Sequence, residues 1–482
     1  MWMNDPNGMV YFDGEYHLFY QYHPESMVWG PMHWGHAVSR DLVHWEHLPI
    51  ALRPDSLGYI FSGSAVVDWR NTSGFGEGGE PPLVAIFTYH DPVRAEAGTG
   101  DHETQGIAWS TDRGRSWTKY EGNPVLPNRD HHPDFRDPNV FWHEQTRRWI
   151  MALSVRDRVE LWGSPDLKEW SFLSEFGAGV GAHGGVWECP DLFPLTDPET
   201  GETRWVLLLN LNPGGPQGGS GTQYFVGDFD GTAFTLDPDF ARTLDLQEAV
   251  WLDHGADDYA GVTWSDVPAE DGRRIFIGWM SNWAYAQEVP TRPWRSAMTV
   301  PRRLQLTTTP EGFRVRSTPV RELERLRRDE VRLPRLAASG VVPLSDVLGF
   351  APAPAEVEMV FEVGPDSDVG IEVSNDRGER YRVGYRADEA VFYSDRSEAG
   401  DDAFSDAFAA VHRAPRQARG DTVRLRVLFD VASVELFADG GTTVMTEIFF
   451  PSVPFSRIAV FGTGAPATLL EGKAWRLEGI WD

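Results

Sequence analysis

Three acidic residues at widely separated points of the sequence are each followed by a proline within two positions. These residues are Asp5, Asp137 and Glu188. Proline fixes φ and supplies no backbone donor, so each acid should lie at an irregular start of a strand. Taken singly, each is more typical of a solvated turn. If the fold brings them together, their repulsion raises at least one carboxyl pKa. One acid and one nucleophile are then available, which is the pair that hydrolysis of a glycosidic bond requires.

A strand module that recurs five times would position these acids. Its copies open near residues 5, 61, 136, 188 and 259, and each continues through a strongly apolar strand. Three copies also close on a Ser-x-Asp turn followed by an aromatic residue, which argues against unrelated hairpins. Five copies of roughly 50–75 residues predict a β-propeller, whose innermost strands all start at one end of a central channel. The module openings, and with them the three acids, should therefore converge.

The rest of the sequence predicts a second domain. We assign residues 1–315 to a five-bladed propeller, 316–345 to a linker that could contain a short helix, and 346–482 to a β-sandwich. The sandwich assignment depends on alternating apolar and polar residues separated by turns rich in Asn, Asp and Gly. The predicted fold class is all-β, a five-bladed β-propeller followed by a C-terminal β-sandwich.

Composition excludes several classes of partner. The net charge of -29 argues against nucleic acid and anionic membrane surfaces, which require basic patches. No apolar stretch of about 18 residues is present, so we expect a soluble protein. The 20 tryptophans suggest surfaces for ring stacking in addition to a core. No signal peptide is visible, which leaves extracellular and cytoplasmic locations open, although a polymeric substrate would require export. Oligomeric state is not indicated.

Other candidate sites are weaker. The glycine-rich stretch 214–221 lacks the lysine of a phosphate-binding loop. The pair His33 and His36 and the adjacent His131 and His132 lack carboxylate or cysteine partners, so we assign no metal and no cofactor.

The single cysteine, Cys189, permits no intrachain disulfide. No module opening supplies a histidine base for it, so we interpret it as a buried spacer and not as a nucleophile.

Four motifs give the sequence a resemblance to glycoside hydrolase family 32, the β-fructofuranosidases. They are WMNDPNG at 2–8, FSGS at 61–64, FRDP at 135–138 and WECPD at 187–191. Their order and spacing resemble those of the family, and the resemblance covers nearly the whole chain. It implies a five-bladed propeller and a retaining mechanism.

The resemblance also implies roles for individual residues. Asp5 would be the nucleophile, Glu188 the general acid/base and Asp137 the stabiliser of the transition state. Retention predicts that the first two carboxyls lie roughly 5–5.5 Å apart. Ordinary packing between blades is the alternative for the aromatic members of the implied fructose pocket. That pocket would comprise Asn4, Gln21, Trp29, Phe61, Ser62, Arg136, Tyr259 and Trp283.

The expected activity is removal of terminal β-linked fructose from levan, inulin or sucrose. Residues 212–224 resemble the exo-inulinase and levanase branch more than plant invertases. Two alternatives stay open, a fructosyltransferase on the same scaffold and a non-catalytic fructan-binding protein. A related five-bladed family that acts on arabinose or xylose fits the motifs less well. The sequence does not indicate which fructan is preferred or what the sandwich does.

Overall fold

Five antiparallel sheets surround a central cavity in the computed structural model, which describes residues 1–481. The innermost strand of each sheet contacts those of both neighbouring sheets, which closes a ring and confirms the predicted propeller. Blades 1 to 3 consist of β1 (Trp2–Phe12), β2 (Glu15–His23), β3 (His33–Ser39), β4 (Trp45–Leu52), β5 (Tyr59–Val67), β6 (Leu83–His90), β7 (Glu103–Ser110), β8 (Thr118–Lys119), β9 (Phe135–His143), β10 (Arg148–Val155), β11 (Arg158–Ser164) and β12 (Ser171–Phe176). Blades 4 and 5 consist of β13 (Val186–Thr196), β14 (Thr203–Asn212), β15 (Gly221–Phe229), β16 (Phe234–Leu236), β17 (Tyr259–Thr263), β18 (Arg274–Met280), β19 (Ala297–Met298), β20 (Arg302–Thr309) and β21 (Gly312–Pro319).

The second strands of the blades form the core of the propeller. β6 and β10 are buried at all but one position, and the middle of β14 is buried throughout. A strand covered on both faces by neighbouring blades reads as a continuous apolar run, and not as an alternation. These apolar runs therefore mark the strands that hold the blades together and fix the positions of the innermost strands.

Every innermost strand carries a β-bulge near its start. On the bulged strand two residues oppose one on the second strand, and such an extra residue re-aims the side chains around it. The five irregularities involve the residues that open the predicted modules. They lie between Met3 and Pro6, Ile60 and Gly63, Arg136 and Asn139, Glu188 and Asp191, and Tyr259 and Val262.

β1 also forms the seam of the ring. The amide of Tyr11 donates to the Ser265 carbonyl at 3.0 Å, and the amide of Ser265 donates to the Met9 carbonyl at 3.0 Å. Nearer the start of β1, the amide of Arg295 donates to the Met1 carbonyl at 2.9 Å. The strand that carries Asp5 is therefore bonded to blade 5 as well as to its own blade.

The C-terminal domain is one sheet of 11 strands folded into two layers, which confirms the predicted β-sandwich. A strand of 21 residues, β32, pairs with four others and joins the layers. The strands are β22 (Arg327–Leu333), β23 (Leu336–Pro343), β24 (Ala355–Glu362), β25 (Asp368–Ser374), β26 (Arg380–Arg386), β27 (Val391–Glu398), β28 (Val411–Pro415), β29 (Thr422–Phe429), β30 (Ser433–Ala438), β31 (Thr443–Ile448) and β32 (Arg457–Leu477).

The segment 316–345, interpreted above as a linker, is more structured than that interpretation implies. It contains the end of β21, a 3₁₀ helix at Arg321–Leu326, and then β22 and β23. Both of these strands pair with β32, so the sandwich sheet begins at Arg327.

The helices are short and lie in connections. They are α1 (Pro92–Ala97), α2 (Pro238–Leu246), the 3₁₀ helix already given, and α3 (Ser345–Leu348). Within residues 1–481, no helix has the length and apolar character needed to cross a membrane.

Two fully buried arginines tie the domains together. Arg302 of β20 in the propeller donates to Asp253 at 2.9 Å and to Glu435 of the sandwich at 2.6 Å. Arg396 of β27 in the sandwich donates to Asp257 of the propeller at 2.7 Å. Neither arginine side chain is exposed to solvent. Buried charges of this kind require complete pairing, so the two networks fix the relative position of the domains.

Candidate active site

The bulges of β1, β9 and β13 bring the three predicted acids into one cluster. The Cys189 amide donates to Asp137 Oδ2 at 3.1 Å, and the Cys189 thiol lies 3.8 Å from Asp5 Oδ2. Glu188 is the neighbour of Cys189 in β13. Acids separated by up to 183 positions in the sequence, from Asp5 to Glu188, therefore share one site.

The Asp5 carboxylate is oriented by a donor on each oxygen. The Ser62 hydroxyl donates to Oδ2 at 2.7 Å, and the Asn4 amide donates to Oδ1 at 2.8 Å. Asn4 is itself fixed, because the indole N–H of Trp2 donates to its Oδ1 at 2.7 Å. Charge-assisted hydrogen bonds of this kind hold a carboxylate in one direction, as an attacking nucleophile requires.

The Glu188 carboxyl is held from two sides. Arg136 donates to Oε1 from Nη2 at 2.9 Å and from Nε at 3.2 Å. The hydroxyl of Tyr259 donates to Oε2. Burial raises the pKa of Glu188, the charge of Arg136 opposes this shift, and the charge of Asp5 adds to it. A raised pKa favours the protonated form of the carboxyl, which is the form that a general acid requires.

Asp137 lies in a constrained backbone segment. Its φ is +63°, a left-handed conformation that is uncommon for residues other than glycine. The amide of Asp137 donates to Thr88 Oγ1 at 3.0 Å, Thr88 donates to Gln105 at 2.7 Å, and Gln105 donates to the Phe135 carbonyl at 2.8 Å. Burial raises the pKa of Asp137 well above its usual range, and the charges of Glu188 and Asp5 add to the shift. Asp137 can therefore hydrogen-bond a ligand hydroxyl beside the other two acids.

The other predicted pocket residues pack against one another or against the strands of the same blades. The ring of Trp29 lies 6.0 Å from that of Phe61, edge to face. Trp283 packs 5.0 Å from Trp279, and of these two only Trp283 retains exposed surface. Gln21 lies on β2 opposite the β1 bulge, and its buried Nε2 has no hydrogen-bond partner within residues 1–481. No hydrogen bond joins Gln21 or Trp283 to the three acids in that part of the chain, so their predicted contacts with a ligand stay predictions.

Sequence reasoning missed the acidic residues that hold Arg136. Glu103 at the start of β7 lies 3.2 Å from Arg136 Nη1, and Asp134 accepts from the same nitrogen at 2.7 Å. His90 of β6 is the cross-strand partner of Glu103, and its Nδ1 lies 3.2 Å from the carboxylate. The only sequence signal was a Glu at the head of an otherwise weakly charged strand.

These residues also form a cluster of potential metal ligands. Ligand atoms of His90, His102 and Glu103 all lie within 4.8 Å of one another. Both oxygens of Glu103 are within 3.5 Å of the Arg136 guanidinium, however. The carboxylate is therefore engaged with a fixed positive charge that would oppose a cation, and we assign the cluster to the support of Arg136.

The thiol of Cys189 is expected to be unreactive in the folded protein. It is 5% exposed, and burial raises its pKa well above its usual range, with the charges of Asp137 and Asp5 adding to the shift. A thiol reacts as its thiolate. Iodoacetamide at about pH 8 should therefore label Cys189 in urea but not in buffer, as mass spectrometry can measure. Equal labelling in both conditions would contradict this assignment.

Known proteins resemble the chain over its whole length. The levanase of Bacillus subtilis (strain 168) is 50% identical over 100% of this chain and 69% of its own length. The extracellular exo-inulinase of Aspergillus awamori is 37% identical over 100% of this chain and 93% of its own.

Solved structures show the same fold. The exo-inulinase from Aspergillus awamori has a TM-score of 0.87 at 34% identity, covering 100% of this chain and 96% of that one. The fructofuranosidase from Schwanniomyces occidentalis complexed with fructose has a TM-score of 0.83 at 32% identity, covering 99% and 96%.

Two family models divide the chain between them. The N-terminal domain of glycosyl hydrolases family 32 matches residues 1–319, and the C-terminal domain of the same family matches residues 322–476. These matches cover the propeller with its acid cluster and nearly all of the sandwich. The chain therefore belongs to glycosyl hydrolase family 32.

Proposed function

We propose that this protein is a retaining exo-glycosidase that releases terminal β-D-fructofuranosyl units from fructans and from sucrose. The relatives named levanase and exo-inulinase support fructan as the substrate class, and a relative named invertase supports sucrose. The observation that carries the proposal is the pairing of Asp5 and Glu188. One is a carboxylate oriented by two donors, and the other is a buried carboxyl with a raised pKa.

The reaction would proceed in two displacements. In the first, Asp5 attacks the anomeric carbon of the terminal fructosyl unit while Glu188 donates its proton to the leaving glycosidic oxygen. In the second, Glu188 takes a proton from water, and the oxygen of that water displaces Asp5 from the anomeric carbon. Two inversions leave the configuration unchanged. Asp137 and Arg136 would bind fructosyl hydroxyls and hold the ring for both steps.

Product analysis tests the proposal. The protein is incubated separately with levan, inulin and sucrose, and the products are followed by chromatography and by NMR at early times. We expect fructose as the first product from a fructan, released as the β-anomer before mutarotation. Oligosaccharides longer than the substrate at high sucrose concentration would indicate the fructosyltransferase instead. Binding without any released fructose would indicate a non-catalytic fructan-binding protein.

Ser62 offers a milder test of the nucleophile. Ser62→Ala removes one of the two side-chain donors to Asp5. A hydrogen bond to a charged group contributes on the order of 1.5–3 kcal/mol, so we expect kcat to fall by about 10- to 100-fold. The measurement is steady-state kinetics on sucrose, with Ser171→Ala on an outer strand as a control that keeps full activity. An unchanged kcat for Ser62→Ala would show that Asn4 alone orients the carboxylate.

A further inference from the structure

Arg136 connects the proposed acid/base to a second, deeper carboxylate. Its Nε and Nη2 point to Glu188, and its Nη1 points to Glu103 and Asp134. Glu103 is 1% exposed, whereas 28% of the Asp134 side chain is exposed. Of the two carboxylates that contact Nη1, Glu103 therefore lies in the environment of lower dielectric constant, and water screens its charge less.

This arrangement addresses a difficulty for the first step of the reaction. A general acid must hold a proton, yet Glu188 lies against an arginine, and a neighbouring cation favours the ionised carboxylate. Burial and the charge of Asp5 work against that effect. Arg136 also contacts two other carboxylates, so its single positive charge is not available to Glu188 alone.

Glu103 is suited to hold a permanent negative charge at this position. Burial alone would raise the pKa of its carboxyl, but Arg136, with support from His90 and His102, lowers that pKa to about 2. Glu103 therefore stays ionised throughout the pH range in which Glu188 titrates. The cross-strand pairing of His90 with Glu103 fixes the carboxylate between β6 and β7.

We propose that Glu103 is a positioning residue that shares the charge of Arg136 and thereby keeps Glu188 protonated for the first chemical step. The inference deepens the proposed function and rests on it. Glu103 does not touch the reacting atoms in this scheme. It acts through the guanidinium, whose three donor nitrogens are divided between Glu188 and the acids on Nη1.

Several other charged and titratable groups near Glu188 also influence its protonation. Arg136 and Asp137 face it from β9, Asp5 from β1, Tyr259 from β17, and Cys189 from its own strand. None of these groups is itself substituted in a Glu103 variant. A change in the protonation of Glu188 in such a variant therefore reports on Glu103 itself.

The test is the pH dependence of kcat/KM for Glu103→Gln on sucrose. The alkaline limb of this profile reports ionisation of the general acid in the free enzyme. With Glu103 neutral, the charge of Arg136 acts more fully on Glu188, which loses its proton at lower pH. We expect the alkaline limb to move to lower pH by about one unit, so kcat/KM above that limb falls about tenfold at fixed pH.

Two variants separate this effect from loss of structure. Asp134→Asn removes the more exposed carboxylate on Nη1 and should move the limb in the same direction by a smaller amount. Glu103→Asp keeps the charge and should leave the limb in place, even if a shorter side chain lowers kcat at every pH. A loss of activity that is uniform across pH in Glu103→Gln, with an unmoved alkaline limb, would overturn the proposal.

A matched control lies in the sandwich. Glu356 is also buried and also accepts from arginines, Arg327 and Arg426. Glu356→Gln should leave the limb unmoved, and a shift in this variant would overturn the assignment to Glu103.

Glu188→Gln distinguishes failure of the proposed role of Glu188 from failure of the proposed role of Glu103. If it stays active, Glu188 is not the general acid/base and the proposed mechanism fails. If it is inactive while Glu103→Gln has an unmoved limb, only the role of Glu103 fails.

Discussion

Asp5→Ala should lower kcat/KM on sucrose and on fructans by a factor on the order of 10⁴ or more, because the covalent intermediate of the proposed mechanism forms on this carboxylate. Glu188→Ala should cause a loss on the order of 10²- to 10⁴-fold, the range that general acid–base catalysis supplies. Both variants should unfold at the same urea concentration as the wild type, or slightly higher, since each removes one of several acids that repel one another. Initial rates and urea midpoints provide the two measurements.

The two variants should also differ in their reactions with a substrate whose leaving group needs no proton. Fructosyl fluoride has a leaving group that needs no proton, so Glu188→Ala should still form the fructosyl intermediate on Asp5 from this substrate. Added azide, which needs no general base, should then attack the anomeric carbon, displace Asp5 and yield β-fructosyl azide. Asp5→Ala should give no such product. Asp228→Ala, a change at an exposed position of β15, serves as the control with full activity. Substantial sucrose hydrolysis by either active-site variant would exclude the mechanism.

Arg302→Ala should destabilise the protein by about 3–5 kcal/mol, the usual cost of removing one partner from a buried ionic network. The side chain has no exposed surface and lies within 3.4 Å of Asp253, Asp258 and Glu435. Without it, three carboxylates remain buried at the junction of the domains. The expected result is a clear fall in the urea midpoint, or faster unfolding if the transition is irreversible.

This loss of stability should depend on pH. Burial raises the pKa of both Asp258 and Glu435, while Arg302 opposes the shift. In Arg302→Ala these carboxyls take up protons more readily in the folded state than in the unfolded state. The penalty is therefore largest near neutral pH and shrinks as the pH falls towards the pKa values of the buried groups. Arg303→Ala, an exposed neighbour, should change stability by less than about 0.5 kcal/mol. Equal stability for both variants would show that the network contributes nothing.

Sequence reasoning predicted the parts of the site that local chemistry marks. Proline beside an acid signals a strand position that needs no donor, and the structure has bulges at Asp5, Asp137 and Glu188. The hydrogen bonds of Ser62 and Tyr259 to these acids likewise involve residues that the family resemblance named for the pocket. Glu103 could not be found in this way, because its partner Arg136 is on the next blade and meets it only when blades 2 and 3 pack together.

The boundary of the second domain shows the same limit. β22 is exposed or partly exposed at six of its seven positions, and β23 is similar, so neither has the apolar pattern of a core strand. They are strands because β32 supplies backbone partners along their length. Alternation within a segment cannot reveal a partner that lies more than 100 residues further along the chain, as β32 does for most of this segment.

The position of β32 in the chain has a consequence for synthesis. A growing chain releases the propeller strands first, and they can pair within their own blades as they emerge. The strands β22 to β25 instead wait for Arg457–Leu477 before their shared partner exists. Until then they present unpaired edges, which are templates for aggregation. Translation that stalls before Arg457 should therefore leave a nascent chain whose first domain is largely formed and whose second domain is prone to aggregation.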